Sequence, residues 1–250
     1  MQEEYIGNER DYVKYALLRH LLNRLGLRLG INWYLTNPTC VGDDSENYNK
    51  DIGYLDKKQW AELDQYLFTK IDTLKEKENT LADIRNLEIF PDDFIEFKDY
   101  AHASKGKKDF CRRVWHGKAL GILQDAGLIF LDPDNGLEVD SMHEIPKTKP
   151  KYVHTGLSPK GDKMRNEIQD YLKEEKVVVC FQAKHRTPPK EQLAEQYEKL
   201  VEHTCASKLL PVVGTGNTLF YVFTPNGYDA DLVEKALRDF ADKSEKVKLY

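Results

Sequence analysis

The chain is 250 residues long, 40% hydrophobic and 32% charged, with a formal net charge of −5. That length suits one large α/β domain, or one domain with a sizeable insertion. The acidic balance excludes a chain-wide basic footprint for nucleic acid, though not a local basic groove, and no segment approaches the roughly 18 consecutive apolar residues of a membrane span.

The opening Met1-Gln2-Glu3-Glu4-Tyr5 is acidic and lacks a signal-peptide core, so cytoplasmic residence without membrane association is the default. Asn8 to Leu25 reads as a helix: Val13, Leu17 and Leu21 recur every four residues, Leu18, Leu22 and Leu25 widen the stripe, Asn8 caps it and Gly26 stops it. Leu29 to Thr36 reads as a first buried strand whose exit, Asn37 to Asp44, is loop chemistry. A short ordered return at Asp51 to Leu55 precedes a helix from Lys57 to Leu74, a charged break at Lys75 to Asn79 and a helix from Leu81 to Leu87. Asn86 to Phe90 turns toward a short strand, and Pro91 to Ala103 carries no clear pattern. Asp109 to Asp125 is helical, and Gly127-Leu128-Ile129-Phe130-Leu131 reads as a strand buried on both faces.

A Lys/Pro-rich linker spans His143 to Pro150, Tyr152 to Thr155 is extended, and Asp162 to Glu175 is helical. Lys176 to Phe181 is a third buried strand, and Pro188 to His203 a helix with proline in its first turn. Strands near Leu209 to Val213 and Leu219 to Thr224 flank a hairpin-like Gly214-Thr215-Gly216-Asn217, and a helix from Asp229 to Ala241 closes the chain. Strand–helix alternation predicts a doubly wound, Rossmann-like α/β fold with a mixed, mainly parallel sheet and an antiparallel strand near its end. One domain spanning 1–250 is expected, with residues from about 40 to 105 as a helical elaboration.

The cysteines (Cys40, Cys111, Cys180, Cys205) form no CxxC pair, which argues against a zinc ribbon, and Cys180 reads as a buried thiol. The chemistry concentrates where the Leu128 strand ends, in Asp132-Pro133-Asp134-Asn135-Gly136-Leu137-Glu138. A turn accounts for Asp, Pro, Asn and Gly but not for three carboxylates together, and open α/β sheets bind ligands at the carboxyl ends of their strands. Lys184, His185 and Arg186 leave the Val177 strand at the same expected edge and are candidates for phosphate. Arg112-Arg113-Val114-Trp115-His116, preceded by Lys105, Lys107 and Lys108, is a second basic patch with an aromatic, suited to nucleic-acid backbone. It is equally an amphipathic helix with Val114 and Trp115 in the core. Asp11 and Lys14, three apart, pair across a helical turn or organise a site.

Asp132-Pro133-Asp134-Asn135 resembles the Asp/Asn-Pro-Pro-aromatic motif of amino-group methyltransferases. Gly7-Asn8-Glu9-Arg10-Asp11-Tyr12-Val13-Lys14-Tyr15 resembles the opening Gly-Asn-x-x-Asp-Val-Leu-Lys-His of the RlmJ-type ribosomal RNA adenine-N6 methyltransferases, with Tyr15 in place of His. Gly216 to Pro225 is similar to that family's last strand. The resemblance implies a methyltransferase-type sheet, S-adenosylmethionine as cofactor and a nucleic acid or nucleotide as substrate. It places Asp132, Pro133, Asp134 and Asn135 at the reacting amine, with Asn8, Asp11, Lys14 and Tyr34 on the cofactor side. The chain departs from the family at the exit of the first strand, where Trp33 to Thr39 replaces a Gly-x-Gly loop and only Gly42 and Gly53 are nearby, and at Asp134 and Asn135. Two alternatives follow: a protein of this fold that binds a nucleotide or partner without methylating, and a nuclease holding a divalent metal through Asp132, Asp134 or Glu138 with Gln182 and Lys184.

Overall fold

A computed structural model describes residues 7–36, 53–56, 58–73, 81–100, 108–138, 151–156, 166–183, 189–213 and 218–249. The chain opens with α1 (Glu9–Leu25), where the Asn8 side chain accepts the Asp11 amide at the N-cap. Gly26, at φ 64°, closes it by donating its amide to the Leu22 carbonyl. That left-handed residue is inexpensive only as glycine. Then come β1 (Leu29–Asn32), α2 (Gln65–Asp72), α3 (Leu81–Asn86), β2 (Ile95–Phe97), α4 (Lys108–Ile122), β3 (Leu128–Leu131), β4 (Gly136–Leu137) and β5 (Tyr152–Val153). They are followed by α5 (Glu167–Lys173), β6 (Val177–Ala183), α6 (Pro189–Thr204), β7 (Lys208–Val213), β8 (Thr218–Thr224), α7 (Ala230–Ala241) and β9 (Lys248–Leu249).

The main sheet has the order β2-β1-β3-β6-β8-β7-β9. The first four strands are mutually parallel; β8 runs antiparallel to both β6 and β7, so β7 points the same way as β6. From β1 the chain steps outward to β2, then returns past β1 to β3 and continues the other way. This is a doubly wound, Rossmann-like sheet, mainly parallel, with two reversed strands, β8 and the edge strand β9, toward one end. The order turns around between β1 and β3, which makes their carboxyl ends the switch-point crevice.

Strand alternation divides the interior into two cores. Leu128, Phe130, Val177, Val179, Phe181, Phe220 and Val222 face one side with α1 and α7. Ile129, Leu131, Val178, Cys180, Tyr221 and Phe223 face the other with Trp115, Tyr171 and Leu200. Such two-sided burial is why these strands are apolar throughout. No helix among the described residues is long and apolar enough to cross a membrane.

Three expectations need revision. The strand expected to reach Thr36 stops at Asn32, because Tyr34 takes φ 47°; only Leu35 rejoins the ladder, in an isolated bridge to Tyr100. The helix expected over Lys57 to Leu74 is two pieces, a 3-10 turn at Lys58–Glu62 and α2, because the Asp64 side chain caps the Leu67 amide and starts a new helix. The patternless stretch after Pro91 contains β2, which pairs in parallel with β1. The ordered return is a 3-10 turn at Gly53–Asp56, while the 143–150 linker and the 214–217 turn lie outside the described residues.

Candidate functional site

The carboxyl ends of β1 and β3 carry two buried ionic clusters, one on each face of the sheet. The first joins α1 to the residue that follows β3. Lys14 Nζ lies 2.8 Å from Asp11 Oδ1 and 2.9 Å from both carboxylate oxygens of Asp132. The remaining Asp11 oxygen accepts the Gly7 amide at 2.9 Å. The ammonium also sits 5.4 to 5.8 Å from the rings of Tyr15, Phe130 and Phe181. Burial alone would pull its proton affinity down, but the two carboxylates hold it above the ordinary lysine value. One ammonium is thus shared by two acids. Asp132 feels the shortfall: burial pushes its carboxyl above the usual aspartate range, more than Lys14 offsets. The Tyr15 hydroxyl is buried with no hydrogen-bond partner among the described residues. Burial, with Asp11 and Asp132 nearby, keeps that phenol protonated.

Beyond Asp132 the chain turns across the edge. Thr36 Oγ1, past β1, donates to Asp134 Oδ2 at 2.8 Å. Glu138 accepts the amides of Thr155 and Gly156 at 2.7 and 3.0 Å. Gln182, near the end of β6, accepts the Leu137 amide through Oε1 at 2.8 Å and donates to the carbonyls of Asn135 and Ala183. The acidic loop is therefore anchored to the neighbouring parallel strand by the Gln182 side chain and by the Ala183 amide, which donates to the Asn135 carbonyl at 3.2 Å. Gly136, at φ 108°, fits against it so closely that an added Cβ would stand 2.3 Å from Gln182 Oε1. Gly136→Ala is expected to lower stability by about 2 kcal/mol, read from urea denaturation, because both the backbone and the held amide must shift.

The second cluster lies on the opposite face. Glu167, fully buried at the start of α5, takes the Arg112 guanidinium in a two-pronged pair at 2.6 and 2.8 Å. It also accepts from the Tyr34 hydroxyl at 2.8 Å and the His154 amide at 3.2 Å. Arg112 stacks on Tyr34 and Trp115 and donates to the Tyr152 carbonyl. Burial would raise the Glu167 carboxyl, but Arg112 overrides it and holds the group far below the ordinary range.

Of the residues singled out in the sequence, Asp11, Lys14 and Asp132 come together directly. Asn8 supports them as the cap of α1. Tyr34 belongs instead to the Glu167 cluster, where its ring packs away from Lys14. Arg112 is turned inward to Glu167 and not outward to a phosphate, Trp115 is core, and Arg113 and Val114 are on the surface. Asp132, Asp134 and Glu138 are held by three different sets of donors. Among the described residues no three His, Cys, Asp or Glu side chains form a group able to hold a metal. Lys184, His185 and Arg186 lie outside the described residues, as does Gly42; Gly53 starts a 3-10 turn. Sequence reasoning missed Glu167, an ordinary first-turn acid behind an Asn cap, and also Thr36 and Tyr15. For Glu167 the only available signal was a buried arginine 55 positions away that needed a partner. Compared with known proteins, the chain matches no family model and no curated protein.

Proposed function

We propose that the protein is a methyltransferase-like enzyme that acts on an amino group of a nucleotide or nucleic-acid base, with S-adenosylmethionine as cofactor. The observation that carries this reading is the Lys14–Asp132 contact at the switch point, which unites the opening and acidic segments of the family resemblance 118 residues apart. The exit of β1 bears on the cofactor. Tyr34 adopts φ 47°, the left-handed backbone that a glycine loop would supply. Trp33 and Tyr34 send their rings into the cores on either side of the sheet, so the turn is made without glycine and without placing those rings over the edge. The residues present fit the group in that respect.

When bound, S-adenosylmethionine supplies an electrophilic methyl group. Asp132 accepts a hydrogen bond from the target amine and aims its lone pair, so that positioning provides most of the rate. Lys14 and Asp11 fix the Asp132 carboxylate, and Thr36 and Gln182 brace the turn made by Pro133, Asp134 and Asn135. Lys184, His185 and Arg186, which follow β6 in the sequence, are the residues this reading assigns to the substrate phosphate.

One observation favours a second reading, a protein of this fold that binds a nucleotide or partner without methylating. Asp132 is almost fully buried and both its oxygens are already engaged by Lys14. Isothermal calorimetry with S-adenosylhomocysteine separates the two. Binding is expected, and no heat at millimolar ligand leaves the second reading standing. Asp132→Ala, which removes the accepting oxygen that either Asp or Asn would supply, is expected to keep that binding and to slow methyl transfer to amino-bearing nucleotides by about 100-fold or more.

A further inference from the structure

One polar atom at the carboxyl edge has no bond to make. The Tyr15 hydroxyl is buried without a hydrogen-bond partner among the described residues. Its charged neighbours are all matched, Lys14 to Asp11 and Asp132, and Asp11 to the Gly7 amide as well. A buried hydroxyl with no partner costs free energy that a phenylalanine in the same place would not. Packing does not require the oxygen, because the ring alone makes the edge-on contact with Phe90, 5.6 Å between centroids. Helical side chains lean toward the amino end of their helix. On α1 that end lies at the crevice, where Lys14 meets Asp132, so the phenol leans toward the acids. Asp11 and Asp132 both act on it electrostatically, and with burial they keep it protonated. Tyr15 is thus a donor that lacks an acceptor. Asp132 beside it is an acceptor, and each of its oxygens keeps a further lone pair after bonding Lys14.

We infer that Tyr15 is a specificity-determining residue, whose hydroxyl donates to the ring nitrogen beside the amino group that Asp132 receives. The inference rests on the preceding reading for a base at Asp132, and it deepens that reading by naming the edge that is read. A donor and an acceptor side by side match an amino group flanked by an unprotonated ring nitrogen. On the Watson–Crick side, adenine offers this pair in its 6-amino group and N1, and cytosine in its 4-amino group and N3. Guanine puts a protonated N1 there, and an edge that only donates leaves the phenol proton buried and unpaired. Asp132 and Tyr15 are nearly fully buried in the free chain. Entry of the base therefore displaces the 3-10 turn at Gly53–Asp56, which packs on the start of α1 through the Tyr54–Tyr12 ring contact and the Tyr54 hydroxyl bond to the Gly7 carbonyl.

Isothermal calorimetry of the full chain with adenosine and with cytidine, each in the presence of S-adenosylhomocysteine, tests it. The wild-type chain is expected to bind at least one of the two, and more tightly than guanosine. Tyr15→Phe is expected to weaken that binding by about tenfold or more. Its urea midpoint should equal or exceed that of the wild type, because the free chain gives the hydroxyl nothing to bond. The wild type should lose a similar factor on the analogue whose ring nitrogen is replaced by C–H, 1-deazaadenosine or 3-deazacytidine. Tyr15→Phe should lose nothing further on that analogue, since both changes delete the same hydrogen bond. No binding of either nucleoside by the wild type at millimolar ligand overturns the inference, as does guanosine bound as tightly. Binding that Tyr15→Phe leaves unchanged, or a second full loss when both changes are combined, overturns it too. The methyltransferase reading fails separately. Nucleoside binding with the expected pattern but no methyl transfer removes the enzyme and keeps the role of Tyr15, while methyl transfer indifferent to Tyr15→Phe does the reverse.

Discussion

Lys14→Ala is expected to destabilise the fold by about 3–5 kcal/mol, the range found when one partner is removed from a buried ion pair. The size follows from what stays behind. Asp11 and Asp132 are both nearly fully buried and share this one ammonium, so its removal leaves two carboxylates facing each other without a cation. The three aromatic rings around Lys14 Nζ supply no hydrogen bond in its place. Urea denaturation followed by tryptophan fluorescence measures the loss. Its pH dependence has a definite sign. The Asp132 carboxyl is raised by burial even in the wild type, so its contribution is present below the ordinary aspartate range and is lost as pH rises through its folded value. Without Lys14 this bias grows, and the deficit of the variant should shrink as pH is lowered. Adding Asp132→Asn should recover part of the loss, and n-propylammonium, which matches the atoms removed, should restore some stability. A variant as stable as the wild type at neutral pH would mean that the cluster is solvated and not buried.

Glu167→Gln is expected to cost a similar amount, about 3–5 kcal/mol, by the opposite electrostatic route. Here the group removed is the anion, and the Arg112 guanidinium is left buried against Tyr34 and Trp115 with no counter-charge. Burial would raise the Glu167 carboxyl, but Arg112 holds it well below the ordinary glutamate value of 4.5. Its stabilisation is therefore complete above that value and is lost as pH falls below it. The difference in urea midpoint between wild type and Glu167→Gln should be large at neutral pH and should narrow steadily in acid. The two clusters thus respond to acid in opposite senses: Lys14→Ala gains relative stability where Glu167→Gln loses its penalty only because the wild type declines. Measuring both variants at the same two pH values separates them.

What the sequence disclosed depended on how local each feature is. α1 was readable because its cap, stripe and stop lie within nineteen successive positions, Asn8 to Gly26. β3 and β6 were readable because burial on both faces leaves an uninterrupted apolar run. β2 was hidden. It is three residues long at the edge, with Glu96 in its middle, and it shows neither a run nor a clear alternation. The split at Asp64 was missed because its apolar neighbours continue the helical spacing, and the break is made by one side chain that caps α2 and pairs with Arg19. The candidate site was half legible. The acids after β3 announced themselves, and their place at the crevice followed from the strand order. Lys14 was even between solvated lysine and ligand on local grounds, because its second partner is 118 residues away. Arg112 looked like part of an outward basic patch, and only the packing of α5 against α4 shows that it points inward.

The insertion of β8 between β6 and β7 also bears on how the protein is made. Synthesis runs from the amino terminus, and the strands up to β6 emerge before β8 exists. Through that interval β6, the longest of the four parallel strands and apolar at all but one position, presents a bare edge of seven residues beside β3. Unpaired edges of this kind invite joining between nascent chains. Translation must therefore carry the polypeptide some forty residues past β6 before the sheet can seal itself, and a ribosome stalled in that window would release a chain primed to aggregate.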